Sequence, residues 1–297
     1  MFDGFQVSRI DCEGVAINVR HGGSGPPILL LHGYPQTYVE WHKVAPLLAE
    51  TYTVICPDLR GYGDSEKPPS SDEDLSTYCK RTTSEDQLSL MRTLGFEAFH
   101  LVGHDRGSRV GLRMALDHPD AVRSFTTLDV VPSQDAFAVM DASLSFSWFH
   151  WHLMRQPAPF PETLIGANPK LYLDFLLDSW TGLEGAITEE AYTEYLRCFS
   201  NPETIRATCA DYRGVVLDLE HDAVDRGTKL ECPVLVLWST YMPKRPGWQT
   251  GGSLDMMEVW RRRAANLRGR GMDCGHFIPE EQPEELAQEL LSFLGSV

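Results

Sequence analysis

Leu101-Val102-Gly103-His104-Asp105-Arg106-Gly107-Ser108-Arg109 is the stretch on which the fold of this chain turns. A mostly apolar run from Phe99 to Val102 feeds a Gly-x-Asp-x-Gly pattern, and residues 108–116 have the spacing of a helix. A sharp strand-to-helix turn of this kind lifts the residue at its tip, Asp105, into the open. Gly103 and Gly107 flank it because side chains there would collide in so tight a turn. A carboxylate at the tip attacks a saturated carbon and forms an ester, where a serine would form an acyl-enzyme from a carbonyl. Arg106 and Arg109 come first and fourth after it, close to one helical face and near the helix N-terminus, where anions are favoured. Taken alone, the five-residue pattern fits an ordinary strand–turn–helix with a surface aspartate equally well. The rest of the chain has to decide.

With 297 residues the chain can bury a full core, as one large domain or a core with an insertion. Its 42% hydrophobic and 23% charged content belongs to a globular protein. No apolar run approaches the roughly 20 residues of a membrane span, and the start, Met1-Phe2-Asp3-Gly4-Phe5, has no signal-peptide character. Seven scattered cysteines without a C-x-x-C argue against a zinc site or a disulfide framework, and a reducing cytoplasm is the simplest setting. A formal net charge of −16 argues against nucleic acid and anionic membranes as partners. In so acidic a chain, an anionic substrate needs a local positive focus, which Arg106 and Arg109 could supply.

Outward from the elbow, strands alternate with helices. Residues 5–20 predict two short strands, and Pro27-Ile28-Leu29-Leu30-Leu31 has the unbroken apolar character of a strand buried on both faces. It runs into His32-Gly33-Tyr34-Pro35-Gln36, after which Val39, Trp41, Val44, Leu47 and Leu48 predict a helix. Strands are expected at 53–56, at 122–130 ending near Asp129, at 233–238 and, poorly defined, at 267–272. Helices are expected over 75–94, 254–265 and 284–294. From about Ser133 to Ala223 the alternation stops, and the pattern is helical and aromatic-rich. The expectation is a doubly wound, mostly parallel α/β sheet, with a core domain of residues 1–132 and 224–297 and a helical cap domain of residues 133–223. The irregular loop Ser239 to Gly252, with three glycines and two prolines, is expected to be mobile.

His276, in a Gly-His-Phe turn after the last sheet element, is the candidate base. Its acid could follow either of two strands. The stretch 238–243 holds no carboxylate, which leaves Asp129 as the better partner, with Asp273 a surface or turn residue. The order nucleophile Asp105, acid Asp129, base His276 is that of the α/β-hydrolase fold. Arg106 and Arg109 are candidates for a substrate-carboxylate clamp, since the guanidinium fork suits a carboxylate; surface ion pairs are the plainer alternative. Arg261-Arg262-Arg263, with Arg268 and Arg270, is expected to be a solvated helix face and loop. His150, Trp151 and Tyr212 each own an N–H or O–H donor, although a cap core alone explains aromatics there.

Assembled, these residues resemble the haloacetate (fluoroacetate) dehalogenases of the α/β-hydrolase superfamily. The likeness covers nearly the whole chain, through His32-Gly33-Tyr34-Pro35-Gln36-Thr37, Trp41-His42, the elbow, Leu116-Asp117-His118-Pro119, Gln156-Pro157-Ala158-Pro159, Asp211-Tyr212-Arg213 and Gly275-His276-Phe277-Ile278-Pro279-Glu280-Glu281. The resemblance implies that Asp105 is the nucleophile, His276 the base and Asp129 its orienting acid. It implies that Arg106 and Arg109 bind the substrate carboxylate, that His150, Trp151 and Tyr212 receive the halide, and that Trp180 lines the pocket. Backbone N–H groups of Tyr34 and Arg106 would hold the oxyanion. It further implies a small anionic haloacid as substrate, no cofactor or metal, and a homodimer. Tyr34 departs from the family, standing where related hydrolases commonly carry Phe, and the Arg268–Gly271 strand is more polar than usual.

Three rivals remain. An epoxide hydrolase shares the Asp nucleophile and the His–Asp pair; Arg106 counts against it and Tyr212 keeps it open. A haloalkane dehalogenase would give two arginines nothing to bind. A non-catalytic receptor on the same fold would have no use for the full set Asp105, Asp129 and His276.

Overall fold

The computed structural model describes residues 1–241 and 255–297. Eight strands form one sheet: β1 (Gln6–Cys12), β2 (Val15–Gly23), β3 (Pro27–Leu31), β4 (Thr53–Pro57), β5 (Phe99–His104), β6 (Val122–Leu128), β7 (Val234–Ser239) and β8 (Leu267–Met272). Their order is β1-β2-β4-β3-β5-β6-β7-β8. The first two pairings, β1 with β2 and β2 with β4, are antiparallel, and all the others are parallel. All five residues of β3 are buried, as expected for a central parallel strand that has no wet face.

The crossing between β3 and β5 positions the site. From β3 the chain goes outward to β4, then returns to β5 on the other side of β3, with Leu31 in register with Gly103. The winding reverses there, and the crevice beyond such a switch point is where α/β sheets place their ligands. The carboxyl ends of β3, β5, β6 and β8 lead into Tyr34, Asp105, Asp129 and His276 respectively, and β7 ends at Ser239.

Between β6 and β7 lie eight helices and no strand: Ser133–Ala138, Ala142–Ser147, Phe149–Met154, Phe160–Ala167, Pro169–Trp180, Glu189–Phe199, Pro202–Arg213 and Val215–Val224. Asp141, Asn168, Thr188 and Asn201 start four of them, each side chain accepting a free backbone N–H of the first turn.

Two expectations need correction. The helix predicted through Val39–Leu48 is instead a 3₁₀ turn, Tyr38–Trp41, followed by one short helical turn, Ala45–Leu48. Pro46 has no N–H to give to the His42 carbonyl, so a continuous helix is interrupted there. Arg263 does not belong to a solvated face: it is 7% exposed, and its Nε and Nη2 donate to Asp135 Oδ2 at 3.1 and 2.8 Å. Of the loop expected at Ser239–Gly252, residues 242–252 lie outside the described residues, as does Leu254, the expected start of a helix that is observed from Met256 to Arg261.

Candidate active site

Asp105 stands between β5 and the helix Arg106–Asp117 with φ +44° and ψ −111°, a conformation costly for a residue with a side chain. The two flanking glycines allow it. A Cβ on Gly103 would lie 2.6 Å from the backbone of Gly107, and one on Gly107 would lie 2.3 Å from the Leu31 carbonyl oxygen. The elbow thus presses directly against the end of β3. One consequence is that Tyr34 N donates to Asp105 Oδ1 at 3.0 Å, which leaves Oδ2 as the other oxygen of the carboxylate. Burial pushes the Asp105 carboxyl up, but His276, His104, Arg106 and the Tyr34 N–H outweigh it, so the group sits below its ordinary value and is ionised at neutral pH.

His276 is held from both sides. Its Nδ1 lies 2.7 Å from Asp129 Oδ2, and its Nε2 lies 4.0 Å from Asp105 Oδ2. Asp129 also has a positive φ, +51°, and its Oδ1 accepts from Ser239 N at 2.9 Å. The end of β7, which brings no carboxylate, therefore supplies a backbone donor that steadies the acid at the end of β6. Such an arrangement fixes Nδ1–H toward Asp129 and leaves Nε2 free to accept a proton.

A second layer beneath these residues escaped sequence reasoning. His104, the residue before Asp105, is fully buried; its Nδ1 lies 3.2 Å from Glu40 Oε2 and its Nε2 lies 2.8 Å from the His276 carbonyl oxygen. Burial pushes this imidazole down, but Glu40 more than reverses that, and its pKa rises to about 9. As an imidazolium it donates from both nitrogens. Glu40 Oε2 also accepts Gly33 N at 3.0 Å, so the pair links the Gly33–Tyr34 turn, the elbow and the His276 loop. No sequence motif marks Glu40 for this role, because its partners, Gly33 N and His104, lie at the ends of two different strands, β3 and β5.

The two arginines are both buried but differently engaged. Arg106 donates from Nε to Asp211 Oδ2 at 2.8 Å, and from Nη2 to Asp211 Oδ1 and the Asp211 carbonyl at 2.8 and 3.0 Å. Asp211 also accepts from Tyr62 Oη at 2.7 Å and pairs with Lys80 Nζ. Arg106 Nη1 is buried with no hydrogen-bond partner among the described residues. Arg109 donates from Nη1 to Ser133 Oγ at 2.8 Å, while its Nε is buried with no hydrogen-bond partner among the described residues. Burial, with Arg106 nearby, lowers Arg109 to about 10, which still leaves it charged at neutral pH. Both guanidinium groups lie over the Trp151 ring, at 5.1 and 4.9 Å, and Arg106 lies 4.4 Å from the Tyr212 ring centre.

His150, Trp151 and Tyr212 do come together: Tyr212 lies 5.5 Å from His150 and 5.1 Å from Trp151, ring centre to ring centre. Trp180 touches His150 at 4.8 Å and His276 at 5.5 Å, and Tyr34 lies 5.2 Å from Tyr212. Burial drives the His150 pKa down to about 3, so the ring is neutral, with one N–H and one bare nitrogen. Its Nδ1 is buried with no hydrogen-bond partner among the described residues. Burial, followed by the Asp105 charge, holds the Tyr212 phenol well above its ordinary value, so it keeps its proton.

An ionised aspartate on an elbow, a His–Asp pair and an aromatic wall at the ends of a parallel sheet define a class of enzyme. The chain belongs to the α/β-hydrolase fold family, whose model matches residues 26–246. Within that fold it is 44% identical to a fluoroacetate dehalogenase from Burkholderia sp, over 99% of this chain and 95% of the relative. It is 34% identical to a soluble epoxide hydrolase from Corynebacterium sp. (strain C12), over 95% of this chain and 94% of the relative. A solved α/β-hydrolase chain from Nostoc sp PCC 7120 superposes with a TM-score of 0.94 at 46% identity, covering 99% of both chains. No helix among the described residues is long and apolar enough to cross a membrane.

Proposed function

We propose that the protein is a cofactor-independent hydrolytic dehalogenase that converts a haloacetate or similar 2-haloacid to the 2-hydroxyacid and halide. Asp105 Oδ2 attacks the carbon that bears the halogen. The C–O ester bond forms as the carbon–halogen bond breaks, and the halide leaves with the bonding electrons. Arg106 Nη1 and Arg109 Nε are buried donors beside the elbow with no hydrogen-bond partner among the described residues, and they hold the substrate carboxylate so that attack is in line. His150, Trp151 and Tyr212 offer donors to the departing halide. In the second step His276 Nε2 takes a proton from a water, which attacks the Asp105 carboxyl carbon. The ester C–O bond at that carbon then breaks, and the proton on His276 passes to the departing alkoxide, releasing the hydroxyacid and restoring the Asp105 carboxylate. The N–H groups of Tyr34 and Arg106 stabilise the oxyanion that forms on Asp105.

The observation that carries this reading is the pair of buried arginine donors that have no hydrogen-bond partner among the described residues, next to an ionised nucleophile. A buried guanidinium N–H left unpaired is costly unless an anion completes it. The Burkholderia relative supports the same substrate class. The helical segment 133–223 is the cap domain that closes over the core formed by residues 1–132 and 224–297. By likeness to the dehalogenase family the protein works as a homodimer, and its seven scattered cysteines without a C-x-x-C suit a reducing cytoplasm.

The epoxide hydrolase reading is the alternative, favoured by the Corynebacterium relative and by a protonated Tyr212 that could serve a leaving alkoxide. One panel separates the two: fluoroacetate, chloroacetate and styrene oxide, with halide and diol measured. Halide release from the haloacids without diol formation is expected. Diol formation with no halide release would replace the proposal by its alternative.

A further inference from the structure

Beyond the arginine network, Cys79, Asp218 and His221 converge from two parts of the chain. Cys79 is the extended residue that precedes the helix Lys80–Thr93, and Asp218 and His221 are three apart on the helix Val215–Val224, hence on one face. Their ligand-capable atoms, a thiol sulfur, a carboxylate oxygen and an imidazole nitrogen, all lie within 4.8 Å of one another. Cys79 is 3% and Asp218 5% exposed. Lys80 N donates to Asp218 Oδ1 at 2.7 Å, while Asp218 Oδ2 is buried with no partner among the described residues, and so is His221 Nδ1. The thiol sulfur lies 3.3 Å from the Thr82 hydroxyl. Two unsatisfied buried polar atoms in one small cluster call for an occupant.

We propose that Cys79, Asp218 and His221 bind a divalent transition-metal ion, zinc in the first instance, that ties the helical insertion to the core. The donor set decides the class of ion. Sulfur, nitrogen and one oxygen suit a borderline-soft metal, whereas magnesium and calcium take oxygen throughout. Three protein ligands leave a fourth tetrahedral position for water. Bonds of about 2.0–2.3 Å place the donors roughly 3.5 Å apart, so the cluster tightens by about an ångström on binding.

Charge is consistent with this. Lys80 and Arg106 face Asp218, Arg81 and Arg113 face His221, and the carboxylates Asp211 and Asp117 face the same two groups, so cations and anions are interleaved around the cluster. A thiolate and a carboxylate cancel the charge of the ion, and the thiol proton goes to solvent as the metal–sulfur bond forms. The Lys80 N–H on Asp218 Oδ1 is the kind of outer hydrogen bond that orients a ligating carboxylate. Lys80 also pairs with Asp211, which holds Arg106, so the bound ion would brace the same network that positions the arginine. The site does not depend on the reaction at Asp105.

The test uses the full-length protein, freed of metal by dialysis against a chelator and titrated with zinc or cobalt. One equivalent is expected to bind, with a thiolate-to-cobalt charge-transfer band and a rise in Tm with zinc. Cys79→Ser should abolish the band, and His221→Gln should weaken zinc binding by on the order of tenfold to a hundredfold or more. Circular dichroism checks that each variant is folded. His221 is only half-buried, so its variant keeps the test open if Cys79→Ser misfolds. Failure to take up zinc at micromolar concentration would overturn the proposal. So would a stoichiometry and affinity unchanged in both variants, which would place the ion on other cysteines.

Discussion

The floor and the roof of this site are built by different rules. The floor is the elbow and its neighbours, where the two carboxylates are fixed by backbone: a positive φ at Asp105 and at Asp129, and N–H groups of Tyr34 and Ser239 on their oxygens. The roof is side chain against side chain, with His150, Trp151, Tyr212 and Trp180 packed ring to ring on helices of the insertion. Backbone-fixed atoms tolerate no relocation, whereas an aromatic wall can exchange members at graded cost. Substitutions on the floor should therefore act all or none, and those on the roof should discriminate among substrates.

The largest expected effect is at the floor. Asp105→Ala should abolish turnover, while His276→Asn should stop only the second step and leave a carboxymethyl ester on Asp105 after incubation with a haloacetate. Intact-protein mass spectrometry reads the added mass; a near-normal steady-state rate in either variant would break the contrast at once.

Between floor and roof stand the arginines, and they should not behave alike. Arg106→Leu strips Asp211 of its bidentate partner in a buried site shared with Lys80, so stability should fall by about 3–5 kcal/mol along with activity. Among the described residues Arg109 hydrogen-bonds only to the Ser133 hydroxyl and otherwise lies over the Trp151 ring, with no carboxylate partner, so Arg109→Leu should leave the fold much less affected while reducing haloacetate turnover strongly. Urea denaturation beside initial rates separates the two. Equal losses of stability would contradict the asymmetry of their partners.

The roof should show itself in the choice of halogen. Fluoride leaves as a compact, strongly hydrated ion, so its departure depends heavily on donors already aimed at it, while chloride needs less help. Tyr212→Phe or Trp151→Phe should lower the fluoroacetate rate more than the chloroacetate rate, with the fluoride loss approaching about 2.7–4 kcal/mol. An unchanged ratio, with both rates falling together, would mean that these rings only shape the space.

The same division explains what could be seen before folding. The elbow is legible because its signal is local: an apolar strand, two glycines and a helix in one short stretch. Likewise β3 announces itself through five consecutive apolar residues, and the insertion through the loss of alternation. The roof is legible only by resemblance, since His150 and Tyr212 belong to helices far apart in the chain. Glu40 is illegible, because nothing local says that its carboxylate will meet the Gly33 N–H and His104. Arg263 was misplaced for a related reason: its neighbours are charged, and its partner Asp135 belongs to the insertion. Cysteine spacing likewise could not suggest the Cys79 cluster, whose other members are on a helix of the insertion.

The smallest effect expected, and the one that probes beneath the floor, concerns His104. Its folded pKa of about 9 exceeds the ordinary unfolded value of about 6.5, because Glu40 outweighs the effect of burial. The folded state thus binds its proton more tightly than the unfolded chain does. The resulting stabilisation is fully present below about pH 6.5 and declines through the interval up to about pH 9, above which it is gone. Charged hydrogen bonds of this type contribute on the order of 1.5–3 kcal/mol. His104→Gln keeps one donor but cannot carry the charge, so its stability, followed by denaturant titration across this pH range, should lose that slope. The gap between native and variant should be widest at the acid end and narrow as pH rises. Because His104 Nε2 also faces the His276 carbonyl, loss of the imidazolium should loosen the base, lowering kcat more than it alters KM. A variant with the native slope would show that the Glu40–His104 pair carries no proton-linked stability, and the floor would then rest on backbone geometry alone.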